Sequence, residues 1–312
     1  MSATGQPVLD ADSLSGQRDV KGRSLWLDAR RRLFRNKAAV ASLVVLATIA
    51  LMAVLAPVLS QYAFDYQDYN VIGCAPDWWP DKNVLCFAGG THWFGTDSIG
   101  RDLFVRVLYG ARVSMSVGLI ATMVSLVIGV AYGATAGYLG GLVDAFMMRF
   151  VDVLYSIPYI FFVIILMTVF QRNYYMLFVA IGAVEWLTMA RIVRGQTLSI
   201  KQKEFIEAAR AAGVSTIGII GRHVVPNVFG PVVVYVTLTV PAAILAESFL
   251  SFLGLGIQEP LTSWGVLIAD GANQMETTPW MLVFPALFMA ITLFCFNFIG
   301  DGLRDALDPK DR

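Results

Sequence analysis

Charged side chains vanish from this sequence over long stretches, and the stretches recur at lengths that suit a lipid bilayer. No Asp, Glu, Lys or Arg interrupts residues 38–64, 113–143, 153–171, 223–246 or 277–300. About 20 consecutive apolar residues let an α-helix cross roughly 30 Å of hydrocarbon, so each run can hold one span. A sixth stretch, 174–190, is apolar apart from Glu185. The pattern predicts an all-α membrane protein with six transmembrane helices.

Basic residues orient the spans. Of the 23 Lys and Arg, 18 lie before the first span, after the second, after the fourth and after the sixth, and 5 lie in the alternate segments. The positive-inside bias therefore places both termini and the loop 191–228 in the cytoplasm. Without the fourth span the most basic internal loop would fall outside, so Glu185 does not remove that helix. The chain divides into a cytoplasmic tail (1–37), a first span (38–64), a periplasmic segment (65–112), a five-span core (113–302) and a short cytoplasmic tail (303–312). Residues 1–20 are polar and expected to be disordered. Residues 25–34 mix apolar and basic side chains, which fits either an interfacial amphipathic helix or a basic stop-tail. The first apolar run is far longer than a signal-peptide core, so no cleavable leader is expected.

Composition narrows the function. The 312 residues are 57% hydrophobic and 15% charged, against roughly 25% charged in soluble domains. An ordinary cytosolic enzyme and a disordered chain are excluded. Zero net charge leaves no nucleic-acid footprint. Three Cys and two His, well separated, make no zinc or iron–sulfur set, and His92 and His223 fall on opposite sides of the membrane. No Lys follows a Gly, so the G-x-x-x-x-G-K-[ST] phosphate loop is missing. Catalytic residues and a resident cofactor are not expected; any ATP would be hydrolysed by another chain.

Isolated polar groups remain. Cys74 and Cys86 stand in a compartment that permits a disulfide, or are free thiols beside an aromatic belt of Trp78, Trp79 and Trp93. Cys295 reads as a core residue. Glu185 and Glu247 are intramembrane acids, which mark a pathway or reach a polar neighbour. Arg191 lies too far round the helix to be an ideal partner for Glu185. Gly137, Gly140 and Gly141 suit close helix packing or, preferably, a turn before Asp144.

The loop 191–228 carries the strongest signal. Ser199 and Gln202 have capping-box spacing, Gly213 suits a helix end, Ser215 or Thr216 can cap a second helix, and Pro226 precedes the fifth span. This predicts a helix–turn–helix elbow whose run Ala208, Ala209, Ala211, Ala212 and Gly213 lets a partner approach closely. Glu207 offers an acceptor.

Glu207-Ala208-Ala209, Gly213, His223, Val225 and Pro226 resemble the EAA motif of binding-protein-dependent ABC importer permeases, with His223 at a usually aliphatic place. His92-Trp93-Phe94-Gly95-Thr96-Asp97, Gly100-Arg101-Asp102, Ser251–Gly256 and Gly300–Pro309 are similar to the peptide and nickel branch of that family. Gly22–Trp26 and Gln258–Leu261 look closest to the C-type permease of oligopeptide importers. The resemblance implies a type I importer fold with a five-helix core in a bacterial inner membrane. It also implies a second homologous permease, two ATP-binding subunits that hold ATP and Mg, and a periplasmic oligopeptide-binding protein. Glu207, Ala208, Ala209, Gly213 and Pro226 would couple to the ATPase, while peptide passes between the permeases. A dipeptide or nickel permease is the alternative within the branch. An ion-coupled secondary transporter would need more mid-membrane charge than Glu185 and Glu247 supply, and a scaffold protein would show no ATP-linked uptake.

Overall fold

The computed structural model describes residues 25–79, 86, 91–170 and 174–307. The expectations for residues 1–24 and 308–312 lie outside the described residues. Eleven α-helices and no strand occur among those described: α1 Leu25–Arg35, α2 Lys37–Leu59, α3 Leu103–Leu139, α4 Gly141–Ser156, α5 Tyr159–Val169, α6 Tyr174–Ile200, α7 Glu204–Ala211, α8 Thr216–Ile219, α9 Val225–Phe252, α10 Trp264–Ala272 and α11 Trp280–Leu307. Five helices are long and apolar enough to cross a membrane, and six spans result if the bent pair α4–α5 counts as one.

The helix boundaries differ from the charge-free runs in instructive ways. The second span starts at Leu103 instead of 113, taking Arg106 and Arg112 into α3. Arg112 is satisfied by tertiary hydrogen bonds, whereas no guanidinium nitrogen of Arg106 has a hydrogen-bond partner among the described residues. Arg106 is fully buried near Asp97, and Arg112 donates to the carbonyls of Ala53 and Val54. The third span, expected as one helix over 153–171, is broken at Ile157–Pro158 with an 86° bend. Proline pushes its predecessor out of the helical region, and Ile157 has ψ 125°. Glu185 sits inside the unbroken α6.

Small residues hold the centre together. Gly129, Gly133 and Gly137 form a stripe on α3 that packs against α6. A Cβ on Gly133 would strike the carbonyl of Ala190 and come within 2.9 Å of Val193 Cβ, and one on Gly137 would come within 2.8 Å of Thr197 Cβ. Such spacing lets two backbones approach as only glycine permits. Gly140 and Gly141, at φ 69° and 57°, make the turn into α4. Arg194 of α6 clamps Asp144 of α4 bidentately at 2.5 and 2.6 Å.

Candidate functional site

The elbow between α6 and α9 is built from local chemistry. Ser199 does not start it: α6 continues to Ile200 and α7 begins after Lys203, without a side-chain cap. The apolar face of α6 carries its helix on through Ser199, which is exposed, so packing overrides the local capping signal. At the other end of α7, Gly213 adopts φ 79°. Its N–H donates to the Arg210 carbonyl (3.0 Å) and the Val214 N–H donates to that of Ala209 (3.1 Å). These two bonds form a Schellman closure, which needs a left-handed residue here. Ser215 then caps α8 by accepting from the Gly218 N–H at 3.3 Å.

The α8 helix runs into α9 through a π-turn over Ile220–Val224. The wider turn relieves the clash that the ring of Pro226 would make with the preceding helical turn. Pro226 stands at the start of α9, exposed.

One face of this elbow is locked to the bundle. Ile206 and Ala209 of α7, with Ile219 of α8, pack against Ala134, Tyr138, Val193 and Val228 from three long helices. Fully burying an isoleucine contributes about 1.5–3 kcal/mol, so Ile206 and Ile219 make a firm anchor. Arg210 reaches the Tyr138 hydroxyl at 3.5 Å, and Lys201 lies over the same ring. The opposite face is free: Glu207, Ala208, Ala211, Ala212 and Gly213 are exposed, with Ile217 83% exposed beside them. Of the predicted coupling residues, Ala209 alone is buried; Glu207, Ala208 and Gly213 line the open face.

At the far end of α3 a compact knot organises the segment before it. Asp102 accepts from the Val105 N–H, capping α3, and binds His92 Nδ1 at 2.9 Å. Asp97 accepts from the Ile99 and Arg101 N–H groups and from Arg101 Nε at 2.6 Å, while Arg101 also reaches Glu259 at 2.8 Å. Burial opposes the charge of Arg101, but Asp97 and Glu259 outweigh it and hold the guanidinium above its ordinary range. Burial pushes the carboxyl of Asp270 on α10 upward despite Arg106 and Arg101 nearby. Cys74 and Cys86 are joined by a disulfide, Cα atoms 5.6 Å apart. Trp280 Nε1 donates to the Thr96 carbonyl, tying α11 to the knot.

The two intramembrane acids have opposite surroundings. Glu247 is completely buried and accepts from Ser263 (2.6 Å), Ser251 (2.7 Å) and Ser114 (3.5 Å). It fastens α3, α9 and the cap of α10 to one another. Glu185 is half-buried, and no hydrogen bond or ion pair joins it to another side chain among the described residues. Arg191 turns away from it, bonding Asp152 at 2.9 Å and stacking over Tyr155. The serines around Glu247 and the Asp144–Arg194 clamp escape a sequence reading because their members are far apart along the chain. Among the described residues no group of three or more His, Cys, Asp or Glu could hold a metal ion.

An apolar helix bundle of five or six spans carrying an anchored, small-faced elbow defines a membrane-embedded protein. The chain belongs to the family of binding-protein-dependent transport system inner membrane components, which matches residues 110–312. Residues 24–76 match the N-terminal transmembrane domain of oligopeptide transport permease C. The chain is 60% identical over 301 residues, 96% of each chain, to the oligopeptide transport system permease protein OppC of Escherichia coli K12. It is 44% identical to the OppC of Bacillus subtilis, covering 97% of this chain and 94% of the relative. It is also 46% identical to the dipeptide transport system permease protein DppC of Bacillus subtilis, covering 91% and 86%.

Proposed function

We propose that this chain is one transmembrane subunit of an ATP-driven oligopeptide importer in a bacterial inner membrane. It pairs with a second homologous permease to form the path, and a periplasmic binding protein delivers peptide to it. The chain itself performs no catalysis, and two partner subunits bind ATP with Mg and hydrolyse it. The elbow and both termini face the cytoplasm. The observation that carries this reading is the elbow's two-sidedness: one face fixed by Ile206, Ala209 and Ile219, the other exposed and lined by Glu207, Ala208 and Gly213.

The anchored face makes the elbow move as a rigid lever with α3, α6 and α9, so closure of the ATPase pair shifts the bundle between inward- and outward-facing forms. ATP drives the shift because the ATPase contacts the open face differently in the two states. Glu207 accepts a cationic or N–H donor of the ATPase, and the small residues admit its backbone closely.

Uptake of labelled peptides of two to six residues, in cells lacking and then regaining this gene, tests the proposal. Restored uptake of tri- to hexapeptides supports it. Restoration of dipeptides alone would favour the second reading, a dipeptide permease, to which the Bacillus subtilis match lends support. Ion-gradient-driven uptake by this chain alone would refute both.

A further inference from the structure

The helix α1 carries exposed apolar residues and exposed bases on the same broad side. Leu27 and Phe34 stand seven positions apart, on one line of the helix, and each is 62% exposed. Arg30 and Arg31 fall between them, so one arginine flanks that line on either side. Arg35 extends the second flank, and Lys37 opens α2. All four bases are exposed.

The opposite side of α1 is docked. Ala29 is buried. Leu33, four residues on, sits against α11, where a Cβ on Gly302 would come within 3.2 Å of Leu33 Cδ1 and 2.7 Å of Ala39 Cβ. One glycine of α11 thus receives both α1 and α2. Between these helices Asn36, at ψ 103°, breaks the helical path and caps α2 by accepting from the Ala38 and Ala39 N–H groups. A docked helix presents a fixed outer face, which a basic stop-tail would not.

Whatever covers that face must match an apolar line bordered by cations. The span α2 starts after a single residue and exposes Val44, Leu51, Val54 and Val58, a surface for acyl chains. Five of residues 30–37 are basic and none is acidic. Asp301 and Asp305, on the neighbouring end of α11, are exposed and form no ion pair with any of the four exposed bases. The edge of a bilayer carrying anionic lipid has the complementary form: arginine stems lie along acyl chains, and guanidinium forks take phosphate oxygens.

We propose that α1 is an interfacial anchor for anionic phospholipid. Leu27 and Phe34 enter the acyl chains, and Arg30, Arg31, Arg35 and Lys37 hold headgroup phosphates. The anchor goes beyond the importer reading and does not rest on it.

The full-length chain, with the subunits that co-purify with it, would be reconstituted in vesicles of phosphatidylcholine and phosphatidylglycerol. A nitroxide on Phe34→Cys reads depth by electron paramagnetic resonance. Cys295→Ser removes the other free thiol, since Cys74 and Cys86 are bridged. Oxygen, which partitions into hydrocarbon, should reach the nitroxide more than an aqueous nickel chelate does. Greater access by the chelate returns the face to water, and poor access by both assigns it to a protein partner; either overturns the anchor.

Charge is read by photoactivatable phosphatidylglycerol against its phosphatidylcholine counterpart, with cross-links to residues 25–37 mapped by mass spectrometry. Wild type should favour phosphatidylglycerol at least about fivefold, the effect of one base near an anionic surface. The Arg30→Gln, Arg31→Gln double variant should lower that preference several-fold, and the charge-keeping Arg30→Lys, Arg31→Lys pair should retain it. Equal labelling of wild type by both lipids overturns the proposal without any variant, and so does a preference unchanged in the Gln pair. Peptide uptake is not a readout, so failure of the importer reading would leave these results intact.

Discussion

Gly213 offers the sharpest test of the elbow. Its φ of 79° is in the left-handed region, and a Cβ built there meets nothing within 4 Å. Gly213→Ala would therefore pay only the backbone cost, about 1–2 kcal/mol. That is modest beside the ~5–15 kcal/mol stability of a typical folded domain. Gly213→Asn would cost less, because Asn tolerates the left-handed region. Gly213→Pro is different in kind: its φ is fixed near −65°, and it loses the N–H that binds the Arg210 carbonyl, at a cost of about 3 kcal/mol or more. The closure of α7 then opens while the buried Ile206 anchor still retains the chain in the bundle.

The assay is uptake of a labelled tripeptide and ATP hydrolysis, measured together in proteoliposomes of the whole complex. Gly213→Pro should cut uptake more than about tenfold, with normal membrane insertion, since 1.4 kcal/mol already corresponds to tenfold in an equilibrium. If backbone shape is what matters, Asn should exceed Ala; if closeness to the ATPase is what matters, both should fall alike. Wild-type uptake by Gly213→Pro would refute the elbow's role.

Other outcomes follow from the same geometry. Glu207→Lys reverses the charge on the open face and should abolish ATPase co-purification without lowering the amount of permease in the membrane. Gly133→Ala adds a methyl against the α6 backbone. The expected overpacking cost of about 1–3 kcal/mol exceeds the ~1 kcal/mol gain in helix propensity, so its unfolding midpoint in detergent should drop. Glu247→Gln keeps an acceptor for the serines and should retain uptake, whereas Glu247→Leu strands their hydroxyls, at about 1–3 kcal/mol each, and should lower folded yield. Cys74→Ser should abolish the mobility difference between reduced and non-reduced gels that the wild-type disulfide produces.

The spans were legible because a bilayer admits so few solutions: an uncharged run of sufficient length must be a helix. Their limits were less so, because Arg106 and Arg112 read as termini while tertiary contacts carry them into α3. Pro158 was visible, yet an 86° bend depends on what the two halves pack against. In the elbow, Gly213 and Ser215 act through neighbours one to four residues away, so the turn was readable from spacing. Ser199 has equally suggestive spacing, but α6 packing decides otherwise. The surroundings of Glu247 were hidden for a different reason: Ser114, Glu247 and Ser263 meet only after the helices assemble.

The length of α3 has a mechanical consequence. Its 37 residues extend about 55 Å, well beyond the ~30 Å of hydrocarbon. At its start hangs the disulfide-bearing knot, and near its finish Tyr138 grips the elbow. The two surfaces therefore ride on one see-saw: a tilt of about 5° around the midpoint displaces each extremity by ~2.4 Å, in opposite directions, without any residue between them changing conformation.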